Sequence, residues 1–361
     1  MRLLLTGGGT GGHVYPALVV LDWLRESGHP VEPLWAGTDR GLERDLVARA
    51  GIAYAALPAG ALRDRNVVGM ARGLGATAAG IIAALRLVDS FRPAVVLATG
   101  GYVSTPTVVA ARLRGVPSVV YLPDVIPGWA VRFLSRLATV VATTTSEARR
   151  HLRGKVVVTG YPVRAAFRPR DPADARTTLG LHPDRFTLTV VGGSLGALRL
   201  NNAVLDGLER LLDRGQVLHI TGRADYQRIA AARNALPLAR QSRYHPTAYF
   251  DAEMPVALAA ADLIVSRAGA SILGEYPAVG RGSLLVPGPF SSQINNAHYL
   301  VQRGASELVP NDRVDELVDR TLALADQPAR LAAMAAAAQT LARPDAAAAI
   351  GRLLLEVAAR Q

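Results

Sequence analysis

The residues nearest the amino terminus that could do chemistry lie in a glycine cluster, Leu5 to Ala17, which contains His13. A short apolar run precedes the cluster and an amphipathic run follows it, so the pattern predicts a strand, a tight turn and a helix. Backbone amides in such a turn can hold an anion, and glycine lets a ligand approach closely. His13 would stand at the positive end of the helix dipole, which keeps it neutral and available as a base. A tight connection with a structural histidine is the alternative interpretation.

The run Val190 to Ala197 repeats this order in the middle of the chain, with the turn Gly192 to Gly196 between a strand and a helix. Ser194 lies within that turn. If both turns bind one ligand, their amides favour a phosphorylated ligand. Two unrelated tight turns are the alternative.

Three more groups in the second half could contact such a ligand. Arg164, in Tyr-Pro-Val-Arg, could reach a phosphate or a base. A third turn, after the predicted strand 263–266, leads to Glu275 one turn into the next helix, where a carboxylate could accept two ribose hydroxyls. Gln293 follows the end of another predicted strand. The structural alternatives are a solvated arginine and a first-turn glutamate that favours the helix dipole.

The elements that must position these residues alternate regularly. Strands are predicted near 2–7, 31–36, 52–57, 94–99, 118–122, 139–144, 155–159, 186–191, 217–221, 246–250, 263–266, 284–287 and 306–309. Their near-continuous hydrophobicity indicates parallel sheets covered by helices on both faces. Because the proline-rich segment 161–174 interrupts the alternation, the chain reads as two doubly wound α/β domains that face each other across a cleft.

Composition limits the class of protein. The chain has 361 residues, 50% hydrophobic and 19% charged, which predicts two well-packed domains and excludes general disorder. Cysteine is absent, which excludes disulfides and thiolate chemistry. The net charge of +11 comes from scattered arginines, so we expect a phosphorylated substrate or an anionic membrane surface and no nucleic acid. No apolar run approaches about 18 residues, and the chain opens directly on a strand, so we expect a cytoplasmic protein that could touch the membrane from inside.

Two motifs are missing from the sequence. It has neither an Asp-x-Asp pair nor the G-x-x-x-x-G-K-[ST] pattern, which excludes a P-loop NTPase and gives no sign of a metal site or a cofactor. A leaving diphosphate would then be stabilised by amides, helix dipoles and arginine.

Six motifs together resemble those of the MurG family, glycosyltransferase family 28. They occur in order at 8–17, 99–104, 160–164, 192–197, 266–275 and 293–297. Each motif alone is weak evidence, but jointly they are specific. The resemblance implies a GT-B fold and an inverting, metal-independent enzyme without a cofactor. Such an enzyme moves N-acetylglucosamine from UDP-N-acetylglucosamine to the muramoyl C4 hydroxyl of undecaprenyl-diphospho-muramoyl-pentapeptide (lipid I, giving lipid II) in peptidoglycan synthesis.

The resemblance also implies a role for each part of the chain. Residues 1–162 would bind the lipid-linked acceptor and residues 163–343 the UDP-sugar, while the helix in 344–361 would pack back on the first domain. That last helix carries an apolar stripe at helical spacing: Ile350, Leu353, Leu354 and Val357. The oligomeric state is not indicated.

Carried over by position, His13 would be the base that takes the proton of the acceptor hydroxyl. The donor contacts would be Thr10, Gly11, Gly12, Arg164, Ser194, the backbone at Phe250 and Asp251 (uracil), Ala270, Ser271, Ile272, Leu273, Gly274, Glu275 (ribose) and Gln293 (transferred sugar). One stretch departs from the family: Tyr121-Leu122-Pro123-Asp124 replaces the usual His-Glu-Gln-Asn. Asp124 falls on the Asn position, where it can still accept a hydrogen bond from a sugar hydroxyl but lacks the amide donor.

The family meets the inner face of the membrane through an apolar patch rimmed by basic residues. The segments with that composition are Val67, Val68, Met70 and 81–85, with Arg63, Arg65, Arg72 and Arg86 around them. An ordinary core helix with solvated arginines is the alternative.

Three rival functions remain open at this point. A related glycosyltransferase with another acceptor fits the same motifs. A dinucleotide-dependent oxidoreductase would explain Gly7, Gly9 and Gly12 as a Rossmann fingerprint, with Asp39 after the second strand, but not the turn at 192–196. A sugar-nucleotide binding protein without catalysis would not need His13.

Overall fold

The computed structural model describes residues 1–8, 11–39, 42–59, 67–193 and 197–360, with the backbone alone at 42 and 67–74. The chain divides into two compact units. Unit 1 comprises Met1–Val163 and Arg343–Gln361, and unit 2 comprises Arg164–Ala342. The first boundary lies next to the one predicted after Pro162.

Within the described residues, unit 1 contains a seven-stranded parallel sheet in the order β3-β2-β1-β4-β5-β6-β7. Its strands are β1 Arg2–Thr6, β2 Glu32–Gly37, β3 Ala53–Ala56, β4 Val95–Ala98, β5 Ser118–Leu122, β6 Val140–Thr143 and β7 Val156–Val158. Its helices are α1 Gly11–Glu26, α2 Leu42–Arg49, α3 Val67–Phe91, α4 Ser104–Leu113, α5 Trp129–Leu134 and the carboxyl-terminal α16 Ala346–Ala358, with a 3₁₀ turn at Ser146–His151. Because β1 lies between β2 and β4, the loops after β1 and β4 meet at one edge of the sheet.

Both faces of this sheet are buried, which explains the continuous apolar runs. Leu3 and Leu5 pack on one side of β1, in a cluster with α1 and α16, while Leu4 packs on the other side against α3. The predicted apolar stripe of α16 lies in the first of these clusters, where Ile350 and Leu354 are fully buried. The last helix of the chain therefore packs on the first helix.

Unit 2 contains, in its described part, a six-stranded parallel sheet in the order β10-β9-β8-β11-β12-β13. Its strands are β8 Thr187–Val191, β9 Gln216–Ile220, β10 Tyr244–Thr247, β11 Leu263–Ser266, β12 Ser283–Leu285 and β13 Ser306–Leu308. Its helices are α6 Pro172–Thr178, α7 Leu198–Asp206, α8 Leu208–Arg214, α9 Tyr226–Asn234, α10 Leu238–Gln241, α11 Met254–Ala259, α12 Ile272–Val279, α13 Ser291–Gln302, α14 Leu317–Ala325 and α15 Pro328–Thr340, with a 3₁₀ turn at Asn311–Glu316. The cleft predicted between the two domains stays a prediction.

Two local predictions need correction. Strand β10 ends at Thr247 and begins before Pro246, whereas the sequence predicts it near 246–250. The segment 161–174 is not a free linker at its start, since Tyr161 is buried and its hydroxyl donates to the Gly12 carbonyl at 3.3 Å. No helix within the described ranges is long and apolar enough to cross a membrane.

Candidate active site

His13 lies in the first turn of α1, the helix that follows β1 in the chain. Its Nδ1 is 3.1 Å from the carbonyl oxygen of Gly8. A carbonyl can only accept a hydrogen bond, so Nδ1 carries the proton and Nε2 carries the lone pair. The geometry thus favours the tautomer in which Nε2 is the basic nitrogen.

The turn after β4 shapes the space beside this nitrogen. Gly100 and Gly101 have φ values of 111° and 80°, in the region that side chains rarely adopt. A Cβ on Gly100 would stand 3.1 Å from His13 Nε2. The neighbouring Thr99 donates from Oγ1 to the His13 carbonyl at 2.5 Å. This turn therefore anchors the start of α1, and the glycine at position 100 places no side chain against Nε2.

Burial lowers the pKa of His13 below its ordinary value. Three weaker effects raise that pKa: the charge of Asp124, the hydrogen bond to Gly8 and the charge of Glu43. The sequence argument relies on the helix dipole for a neutral histidine, and the structure adds desolvation as the main cause. A neutral imidazole at neutral pH is the form that a base requires.

Asp124 follows β5 and is half-buried. The two first residues of the departing stretch are core residues: Tyr121 is fully buried, and its hydroxyl lies 2.8 Å from Thr144 Oγ1. Leu122 is also buried. The departure from the family pattern thus alters the candidate site mainly through Asp124, whose charge acts on His13.

In unit 2, Arg164 holds the segment that contains Asp251. Its guanidinium donates to the Asp251 side chain at 3.2 Å and to the Asp251 carbonyl at 2.8 Å, and it lies 5.3 Å from the centre of the Phe167 ring. These contacts fix the backbone that the family resemblance assigns to uracil.

Glu275 lies in the first turn of α12. Burial raises the pKa of its carboxyl, while a hydrogen bond with Ser271 and the charge of Arg164 lower it. Arg164 therefore interacts with two other residues that are predicted to bind the UDP-sugar: it bonds to Asp251, and its charge acts on Glu275. Ile272 and Leu273 are buried, so their contribution to a ligand would come from the backbone.

Gln293 lies in the first turn of α13, and its Oε1 accepts a hydrogen bond of 2.7 Å from the Gly288 amide. Since the carbonyl end is engaged, the amide nitrogen is the end available to a ligand. Arg267 connects the segments after β12 and β13 by donating to the Val286 carbonyl at 3.1 Å and to Asn311 Oδ1 at 2.7 Å. The side chain of Gln293 is thereby oriented as a donor.

The structure places Gly11, Gly12 and His13 together at the start of α1, and Ala270 to Glu275 at the start of α12. Thr10 and Ser194 lie outside the described residues. Sequence reasoning missed two contributors, Gly100 and Glu43. The Thr-Gly-Gly motif at 99–101 could have indicated the first, whereas Glu43 looks like any first-turn glutamate until the sheet brings it beside Gly8.

Solved structures define the class of protein. The crystal structure of MurG from Acinetobacter baumannii matches with a TM-score of 0.77 and 26% identity, over 98% of this chain and 99% of that one. A UDP-GlcNAc 2-epimerase from Neisseria meningitidis, bound to UDP-GlcNAc, shares the fold with a TM-score of 0.69 at 14% identity. The two Rossmann-like domains thus form the GT-B fold of nucleotide-sugar glycosyltransferases.

Sequence comparison then gives the family. The glycosyltransferase family 28 N-terminal domain matches residues 3–143, and the family 28 C-terminal domain matches residues 187–350. A protein of Roseiflexus sp. is 39% identical over 98% of this chain and 94% of its own length, and one of Moorella thermoacetica is 40% identical over 99% of both. Both are named UDP-N-acetylglucosamine–N-acetylmuramyl-(pentapeptide) pyrophosphoryl-undecaprenol N-acetylglucosamine transferase. The chain belongs to glycosyltransferase family 28.

Proposed function

We propose that this protein transfers N-acetylglucosamine from UDP-N-acetylglucosamine to the C4 hydroxyl of the muramoyl group of undecaprenyl-diphospho-muramoyl-pentapeptide. The observation that carries the proposal is similarity along the whole chain to relatives with this name, at 39% and 40% identity. The oxidoreductase alternative loses its basis, because the glycine fingerprint lies in a glycosyltransferase domain that matches residues 3–143.

The reaction proceeds by a single displacement. His13 Nε2 takes the proton of the acceptor hydroxyl while that oxygen forms a bond to the anomeric carbon of N-acetylglucosamine. The bond from the anomeric carbon to the β-phosphate oxygen breaks, and UDP leaves with the electron pair. One displacement inverts the anomeric configuration. The hydrogen bond from Nδ1 to Gly8 supports this role for Nε2.

Unit 2 binds the donor in this proposal. The amides at the start of α12 and the guanidinium of Arg164 offset the charge of the departing diphosphate. Glu275 accepts the ribose hydroxyls, the backbone at Asp251 contacts uracil, and Gln293 donates to the transferred sugar. Thr10, Gly11, Gly12 and Ser194 complete the donor contacts by family position, and Asp124 accepts from a sugar hydroxyl.

The acceptor carries a lipid, so we also propose that unit 1 docks on the inner face of the cytoplasmic membrane. In the predicted patch, Ile82 is 54% exposed but Ala84 is buried in the core, and residues 63, 65 and the side chains of 67–74 lie outside the described part. Helix α5 adds a surface that the sequence did not suggest. Trp129 and Phe133 are 60% and 40% exposed, with Arg132 and Arg136 exposed beside them.

The deciding experiment incubates the protein with UDP-N-acetylglucosamine and a short-chain analogue of the lipid acceptor. We expect UDP release that depends on the acceptor, and a product with inverted anomeric configuration. Release of UDP with other acceptors only would point to a relative of different acceptor specificity, and no release with any acceptor would contradict the proposal.

A further inference from the structure

Glu43 is a buried carboxylate next to the candidate base, and the proposed mechanism does not use it. It lies in the first turn of α2 and is 1% exposed. Thr38 donates to Glu43 Oε1 from its hydroxyl at 2.7 Å. A carboxylate removed from water costs several kcal/mol unless charges and donors compensate it, so a retained one needs a reason.

The Glu43 carboxylate lies directly against the backbone of the glycine turn. A Cβ on Gly8 would stand 2.7 Å from Glu43 Oε1 and 3.2 Å from Oε2. From another side, a Cβ on Gly101 would stand 2.8 Å from the Gly8 carbonyl oxygen. Gly8 is thus confined between α2 and the turn after β4.

This confined residue is the one that orients the base. The Gly8 carbonyl accepts from His13 Nδ1 at 3.1 Å, which leaves the lone pair on Nε2. Any shift of Gly8 would change the geometry of this bond and with it the support for the ring. Glu43 and His13 are therefore linked through a single residue.

Charge provides a second link. The charges of Glu43 and of Asp124, which follows β5, both favour the protonated form of His13. The turn after β4 is uncharged here: Gly100 lies against the ring, and Thr99 bonds to the His13 carbonyl. Burial is the main cause that raises the pKa of Tyr54. The charges of Glu43 and Asp39 raise that pKa as well, while the charge of Arg44 lowers it. Because Glu43 is buried, solvent and salt screen its field at His13 only weakly.

We propose that Glu43 is a positioning residue for His13. It holds Gly8 so that the Gly8 carbonyl fixes the His13 tautomer, and its charge stabilises the imidazolium that forms when Nε2 takes the acceptor proton. The inference rests on the proposed function only for its kinetic consequence, since the contact itself exists without substrate.

Glu43→Gln removes the charge and keeps the size of the side chain and its acceptor for Thr38. We expect kcat to fall roughly tenfold with the KM for UDP-N-acetylglucosamine unchanged. We also expect the acid limb of the pH–rate profile to move to lower pH, because loss of a negative charge makes His13 harder to protonate. Asp45→Asn, an exposed carboxylate on the same helix, is the matched control and should change neither quantity.

A second measurement needs no turnover. NMR titration of histidine-labelled protein, with the His13 signal identified by its loss in His13→Ala, should show His13 titrating at lower pH in Glu43→Gln than in the unmutated protein. If the unmutated protein transfers no N-acetylglucosamine, the proposed function fails, and this titration still tests the contact.

Three results would overturn the inference: a His13 titration that Glu43→Gln leaves unchanged, a loss of kcat with an unmoved acid limb, or an equal shift in Asp45→Asn. If Glu43→Gln fails to fold by circular dichroism, Thr38→Val takes its place. That variant keeps the carboxylate and removes the hydroxyl donor, while the Thr38 backbone amide still lies 3.4 Å from Oε1. It should shift the His13 titration measurably, whereas no shift would reject the link.

Discussion

At the residue scale, the candidate site depends on the balance between the neutral and charged forms of His13 in unit 1 and of Glu275 in unit 2. Desolvation keeps His13 neutral while nearby carboxylates limit the cost of protonating it. In unit 2, desolvation favours the protonated form of Glu275, and Arg164 opposes it. These opposed effects are what the proposed roles require, a neutral imidazole as the base and a buried carboxylate that can accept the ribose hydroxyls.

Replacing His13 by Ala tests its role as the base. We expect kcat to fall by roughly 10²–10⁴, because general base assistance is lost. Calorimetric binding of UDP-N-acetylglucosamine should be close to unchanged, and His298→Ala, an exposed histidine of unit 2, serves as control. Near-normal turnover at saturating substrates would reject the assignment.

Asp124→Asn restores the residue type that the family pattern has at this position. The substitution removes the largest influence that raises the pKa of His13, so that pKa should fall further. The acid limb of kcat/KM should accordingly move to lower pH, as measured by a pH–rate profile. An acid limb that stays in place would show that Asp124 does not act on the base.

For Glu275→Gln we expect UDP-N-acetylglucosamine to bind about 10- to 100-fold more weakly, since a charged acceptor for two hydroxyls is lost. Titration calorimetry measures this directly. Glu253→Gln, an exposed glutamate of the same unit, is the control. Equal affinity in the two variants would remove Glu275 from the ribose site.

At the element scale, the turn after β4 shapes the candidate site together with the helix that carries His13. Gly100→Ala should place a methyl group against Nε2 and reduce kcat roughly 100-fold. It should also cost about 1–3 kcal/mol of stability from backbone strain. Gly115→Ala separates the two effects, because Gly115 has a φ of +72° but no atom within 4 Å of its Cβ position. The Gly115→Ala variant should lose stability in thermal melts and keep its turnover. Equal turnover in the Gly100→Ala and Gly115→Ala variants would contradict the steric argument.

The strands were predictable because a strand that is buried on both faces consists of consecutive apolar residues, which can be recognised in the sequence. Each predicted strand is present, and β10 shows where local reasoning fails. Pro246 suggests a strand start, yet β10 is an edge strand, where the missing N–H costs no ladder bond.

His13 and Glu275 were predicted as site residues from the order of strand, turn and helix, which is local information, and their roles stay predictions. Glu43 could not be found this way, because its contact with Gly8 exists only once the neighbouring strands β1 and β2 have paired.

At the scale of the whole molecule, the surface of α5 bears on how the enzyme reaches a lipid-linked acceptor. Removing Trp129 and Phe133 together by alanine substitution should weaken sedimentation with phosphatidylglycerol–phosphatidylcholine vesicles by about tenfold, and salt should weaken the remaining binding. Leu238→Ala, which removes an 82% exposed leucine of unit 2, is the control. Unchanged sedimentation of the double variant would place the membrane contact elsewhere.

The two-segment make-up of unit 1 has a consequence for the order of folding during synthesis. Unit 2 is continuous in the chain, so all of its strands have been made before the ribosome reaches α16. Unit 1 must wait, since Ile350 and Leu354 fill the core on which α1 rests. The helix that carries His13 is translated before all of unit 2, and it gains its full support only from α16, which is translated after unit 2.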